Sequence, residues 1–216
     1  AVAFISGGKE YGVIIAPKHL AFNDTEINRT GVSVFMTEQQ ARENELRGTQ
    51  AAIEDAGALG VMTAFNRVGI TAANAHTGLL KNILRGEWGF KGLESQDFIM
   101  NPNYAVLKEY ALNGGTMTTF TGENTMAAVS EKFAYWTTEN VGQDTELMSA
   151  IKQAMTWQAY ALANSNALDG MASSTRLVSV RTWYDNALVA VQVVFAALTV
   201  LAAAMYVLND RKSKKQ

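Results

Sequence analysis

Residues 79–98 read LLKNILRGEWGFKGLESQDF. Leu79, Leu80, Ile83 and Leu84 recur at helical spacing, and the pattern reaches back to His76. Trp88-Gly89-Phe90-Lys91-Gly92 interrupts it as a turn, with the Trp88 ring as the turn's support. Residues 92–97 (GLESQD) then form a short run suited to a buried strand, ending in the carboxylate of Asp97. The stretch is therefore one helix, one turn and one strand.

Three more runs of the same kind lie at residues 13–16, 60–64 and 115–120. Between the first two, residues 37–57 (TEQQARENELRGTQAAIEDAG) open on a Thr cap and close on a Gly, the signals of a helix start and stop. Buried strands alternating with helices predict parallel β/α units. Four units are half of an eight-stranded barrel, and half a barrel leaves two sheet edges that need partners. The expected fold is α/β: the second half of a TIM-type (β/α)8 barrel, then C-terminal helices with one transmembrane helix. The first half is expected from a preceding part of the chain or from another subunit. The start at Ala1, with no Met and no leader pattern, is what a processed product or a piece of a longer protein would have.

Residues 146–163 (ELMSAIKQAMTWQAYALA) form a further amphipathic helix, broken at Asn164-Ser165-Asn166, with Trp157 and Tyr160 on one face. Residues 187–208 (ALVAVQVVFAALTVLAAAMYVL) contain no charge. That is a run of 22 residues, against roughly 20 needed to cross a bilayer core. Trp183, Tyr184 and Tyr206 flank or close it, and Arg211, Lys212, Lys214 and Lys215 follow. This pattern predicts a single-pass anchor in the cell membrane, with the C-terminus cytoplasmic and the bulk of the chain extracellular. The expected divisions are residues 1–122, partial barrel; 123–186, helical extension and connector; 187–208, membrane helix; and 209–216, basic tail.

Composition narrows the function. A net charge of −2 gives no basic face for nucleic acid. The absence of cysteine excludes disulfides and thiolate chemistry, and two histidines, His19 and His76, speak against a multi-histidine metal site; no metal or organic cofactor is expected. In a parallel β/α barrel the chemistry sits at the C-terminal strand ends. Those ends bring together Lys18-His19, residues 62–66 and Asp97. A lysine, a histidine and a carboxylate at one strand-end surface suit a polyhydroxylated ligand.

KHLAFND at residues 18–24 with Glu26 and Arg29, VMTAFN at 61–66, and the stretch 79–98 together resemble the family 3 glycoside hydrolases. The most specific motif is GEWGFKG with Asp97 shortly after it. The likeness covers about residues 10–120, and KHLAFND in place of a KHFPGHG-type loop favours the β-glucosidase-like branch. ALANSNAL at 161–168 is similar to the end region of bacterial members whose barrel domain comes last, which would place a membrane helix directly after the barrel.

The resemblance implies that Asp97 is the nucleophile that forms a covalent glycosyl-enzyme. It implies that Lys18 and His19 bind sugar hydroxyls and that Met62 and Phe98 wall the same subsite. Phe65 matches a position usually held by tyrosine, whose hydroxyl can contact the nucleophile. Glu94-Ser95-Gln96 stands where apolar residues and a Ser or Thr are usual, and Gly114-Gly115-Thr116-Met117 where an aspartate is frequent. A retaining glycosidase needs a second carboxylate about 5–5.5 Å from the first. No residue of this chain matches the family's acid/base, so activity is expected only within a longer chain or complex. The expected partners are a β-linked glycoside or oligosaccharide, membrane lipid along 187–208, and the missing half-barrel with its acid/base domain. The rival expectation is a membrane-tethered, non-catalytic carbohydrate-binding or assembly subunit, motivated by Phe65 and Glu94-Ser95-Gln96.

Overall fold

A computed structural model describes residues 1–29, 31–98, 106–119, 136–171, 175–176 and 178–214. Phe120, Glu123 and Lys215 lie outside the described residues, as do the side chains of Arg211 and Lys212. The chain divides into two compact units, Ala1–Gly170 and Met171–Gln216.

Parallel pairing organises the first unit. Strand β2 (Gly60–Thr63) lies beside β5 (Leu93–Gln96) in the register Gly60↔Leu93 to Thr63↔Gln96. On the far side of β2, Leu20 bridges Thr63 in parallel. There the Met62 N–H donates to Pro17 O at 3.2 Å, the Leu20 N–H to Met62 O at 2.8 Å, and the Ala64 N–H to Leu20 O at 2.8 Å. On the far side of β5, Met117 bridges Ser95 in parallel. Four chain segments thus lie side by side, parallel and in sequence order, as successive β/α units require.

The two outer segments differ from the expected ones. Residues 13–16 carry no strand; pairing starts at Pro17 and centres on Leu20. The Val13 N–H closes a turn onto Gly8 O at 3.1 Å, with Gly12 at φ +69° as the turn residue. In the fourth segment Met117 is the one bridging residue among those described, and Thr116 O accepts the Gln158 side-chain amide at 2.5 Å.

The helix expected over 37–57 forms as Glu38–Gln40, a π-helical turn Ala41–Glu45, and Arg47–Glu54. Thr37 and Gln40 make the reciprocal capping box that satisfies the first free amides. At the other end Gly57 takes φ +65° and its N–H reaches Ile53 O at 3.0 Å. The next helical stretch, Gly78–Glu87, begins where His76 Nδ1 accepts the Leu79 N–H at 3.0 Å, so His76 is a helix-start residue. The sequence signals do not mark the N-terminal helix Val2–Glu10, nor a small sheet in which β1 (Ser33–Val34) pairs with the hairpin of β3 (Arg67–Val68) and β4 (Thr71–Ala72).

Leu20, Leu46, Val61, Leu80 and Leu84 are fully buried between strands and helices, as the apolar stripes require. Arg85 crosses this layer. It donates to Gly114 O at 2.7 and 3.1 Å and to Phe90 O and Gly92 O at 2.9 Å. Its guanidinium lies 3.8 Å from the Trp157 ring centroid. One side chain thereby ties the starts of the third and fourth segments to the helix Thr145–Ala163. Burial lowers its pKa to about 10. That helix is capped by Asp144, stops at Asn164, and packs against Leu107–Leu112, so the helical extension belongs to the first unit.

The second unit is dominated by the helix Trp183–Ser213, entered through Thr182, whose N–H and hydroxyl both donate to Asp185. Within Trp183–Asp210 the most apolar 18 residues have a mean hydropathy of 2.4, and none of them is buried.

Candidate active site

Side chains alternate across a strand, so Asp97 and Ser95 share one face of the third segment while Glu94 and Gln96 share the other. Met62 is the register partner of Ser95 and therefore stands on the Asp97 face, half-buried. The Asp97 N–H donates to Thr63 O at 3.2 Å, which seats the residue at the end of the ladder.

Both carboxylate oxygens of Asp97 are held, and the side chain is only 6 % exposed. Oδ1 accepts the Phe98 N–H at 2.8 Å. Oδ2 lies 3.1 Å from His19 Nε2 and 3.5 Å from Arg29 Nη1. His19 arrives from the strand-end loop of the first segment, where the Lys18–His19 and Leu20–Ala21 peptides are cis. Burial lowers the His19 pKa, Asp97 opposes that shift, and the Lys18 and Arg29 charges add to it. His19 therefore favours its neutral form, with Nε2 set against the carboxylate.

The structure brings His19, Met62 and Asp97 onto one surface. Lys18 is exposed beside His19, and Phe98 is partly exposed next to Asp97. Phe65 is buried, with its ring 4.4 Å beneath the Arg29 guanidinium. Sequence alone gives Arg29 no role beyond its place in the motif. It connects Glu26, at 3.3 Å, to Asp97, at 3.5 Å. Glu26 in turn accepts from the Asn23 amide at 3.2 Å and stays exposed.

Glu94 is the other carboxylate of this strand. It is fully buried on the opposite face, where Oε1 accepts the Thr63 hydroxyl at 2.9 Å. Burial pushes its pKa up to about 7 against the opposing pull of Tyr110, Arg85 and Thr63. Its backbone carbonyl accepts from Tyr110 Oη at 2.9 Å and Thr116 Oγ1 at 2.6 Å, joining the third and fourth segments. Facing away from Asp97, Glu94 cannot serve with it as a carboxylate pair on one bond. Among the described residues no group of three or more His, Asp or Glu side chains could hold a metal ion.

Comparison with known proteins places this site in a family. Residues 1–111 match the glycosyl hydrolase family 3 N-terminal domain. Over 98 residues the chain is 40 % identical to probable beta-glucosidase J and 41 % identical to beta-glucosidase B, both of Emericella nidulans. Those matches cover 45 % of this chain and 12 % of each relative, so the chain spans a small part of their length. Beta-glucosidase 3B of Thermotoga neapolitana superimposes with a TM-score of 0.64 at 23 % identity, covering 77 % of this chain and 23 % of that one. A beta-glucosidase of Paenibacillus barengoltzii gives a TM-score of 0.66 at 23 % identity, over 81 % of this chain and 20 % of its own. At that identity the structures speak for the fold, and they extend it beyond residue 111 into the helical extension. The matched domain covers just over half of the sequence, and the chain belongs to glycosyl hydrolase family 3.

Proposed function

We propose that this chain is the nucleophile-bearing part of a retaining, β-glucosidase-like glycoside hydrolase. The observation that carries the reading is the Asp97 carboxylate, with one oxygen on a backbone N–H and the other facing His19 and Arg29. An aspartate fixed at a strand end by donors on both oxygens has its attacking geometry set before substrate arrives. Asp97 attacks the anomeric carbon, the glycosidic bond to the leaving oxygen breaks, and a glycosyl ester forms. Water then cleaves that ester and releases the sugar with retained configuration. Lys18 and His19 donate to sugar hydroxyls, and Met62 and Phe98 form the apolar walls. The second carboxylate and the other barrel half come from the rest of a longer chain or from another subunit, consistent with the small share of its relatives that this chain spans.

The test is Asp97→Asn in the complete protein, with an aryl β-glucoside as substrate. The amide is a poor nucleophile, and hydrolysis is expected to fall by about a thousandfold or more. Unchanged hydrolysis would remove Asp97 from the role.

The same reading includes a membrane anchor. Residues 187–208 as helix extend about 33 Å, against a hydrocarbon core of about 30 Å. The aromatic residues at 183, 184 and 206 and the basic residues from 211 onward are arranged as interfacial belt and cytoplasmic flank. The catalytic unit then works at the outer cell surface. Alkaline carbonate should leave the protein in the membrane fraction, and external protease should digest the catalytic unit on intact cells. Release by carbonate would contradict the anchor.

A further inference from the structure

We propose that Phe65 is a positioning residue: its ring face holds Arg29 against the Asp97 carboxylate. This rests on the reading of Asp97 as nucleophile. Phe65 is too deeply buried to present its ring to a sugar. A phenylalanine has no hydroxyl to offer a carboxylate, so the π face is the polar feature left to it. The Arg29 guanidinium occupies that face at 4.4 Å, within the range of a cation–π contact. The same guanidinium reaches Asp97 at 3.5 Å and Glu26 at 3.3 Å.

Geometry explains why a platform is needed. Glu26 is exposed and sits on the loop that carries Arg29, three residues away. It draws the arginine outward with an attraction as short as the one Asp97 exerts inward. Arg29 also comes from 68 residues away in the chain, so no local backbone constraint fixes it over Asp97. The ring beneath it supplies that constraint. Positioning by a ring face is also more geometric than a point-charge contact, since a planar guanidinium stacks in one orientation.

Two measurements on different footings test this. In the complete protein, Phe65→Leu keeps apolar bulk and removes the ring. The inference predicts a fall in kcat of roughly fivefold with KM little changed. In an Arg29→Gln background the same substitution should add almost nothing, because its effect passes through Arg29. If the two losses multiply instead, Phe65 acts independently of Arg29 and the inference is wrong.

The second measurement needs no activity. In the complete, detergent-solubilised protein the His19 ring protons are assigned by their loss in His19→Gln and followed by NMR. Arg29 is one of the charges that lower the His19 pKa. Loosening it in Phe65→Leu should move the His19 titration upward, and in an Arg29→Gln background Phe65→Leu should leave the titration where Arg29→Gln puts it. A His19 titration unmoved by Phe65→Leu would overturn the positioning role. Hydrolysis surviving Asp97→Asn would instead overturn the nucleophile reading, and the two failures are thereby separate.

Discussion

Two carboxylates three residues apart on the same strand have opposite fates. Asp97, at the strand end, is held on both oxygens by a backbone amide, His19 and Arg29. Glu94, one face over, is sealed between strand and helices, with Thr63 on one oxygen and a pKa pushed up to about 7. The strand presents charge where donors converge and stores a reluctant acid where they do not. The chemistry of a carboxyl here follows from its side of the sheet, not from its place in the sequence. Asp97 is held at the strand end beside His19 and Arg29, whereas Glu94 is built into the joint between the third and fourth segments.

The sharpest way to break this contrast is through Arg85, the cation nearest the Glu94 side. Arg85→Met removes a half-buried charge and leaves the carbonyls of Phe90, Gly92 and Gly114 without their donor. Leaving a buried carbonyl without its donor typically costs about 1–3 kcal/mol. Denaturant unfolding of the first unit should register a loss of that order. A loss below about 1 kcal/mol would mean that the guanidinium is not the joint described.

Glu94→Gln sharpens the contrast more gently. The folded pKa of Glu94, about 7, lies above its ordinary value of 4.5. Between those values the folded state holds the proton more tightly than the unfolded one, so stability falls as pH rises from about 4.5 to about 7 and is level above. The loss amounts to about 3 kcal/mol at most. Glu94→Gln should flatten that slope, raise stability at pH 8 and leave hydrolysis in place. Asp97→Asn should do the reverse, abolishing hydrolysis while keeping the slope. A slope that persists in Glu94→Gln would assign it to another group.

Much of this was legible in the chain because local signals agreed. Thr37 with Gln40 and the terminal Gly57 marked one helix at both ends, and the cap contacts formed as their chemistry requires. The third strand and Asp97 were legible because GEWGFKG fixes a turn and the strand that follows it. The first strand was misplaced because an apolar run, VIIA, fits strand periodicity, while Val13 is spent on closing a turn and pairing begins at Pro17. The helix Val2–Glu10 was hidden by Gly7-Gly8, a poor helix sequence that tertiary packing of Ile5 overrides. Arg29 could not be matched to Asp97 by spacing, since the two meet only through the fold. For Glu94, alternation along residues 93–97 already separates it from Asp97, but burial and the Arg85 charge become visible only when helices cover the strand.

The central claim is that Asp97 forms a covalent bond to the sugar. It is tested most directly by incubating the complete protein with an activated 2-deoxy-2-fluoro-β-glucoside, digesting it, and finding the labelled peptide by mass spectrometry. The account predicts a single fluoroglucosyl adduct on the peptide containing Asp97, absent in Asp97→Asn. An adduct on another carboxylate, with the Asp97 peptide unmodified while the sugar analogue inactivates the enzyme, would contradict it.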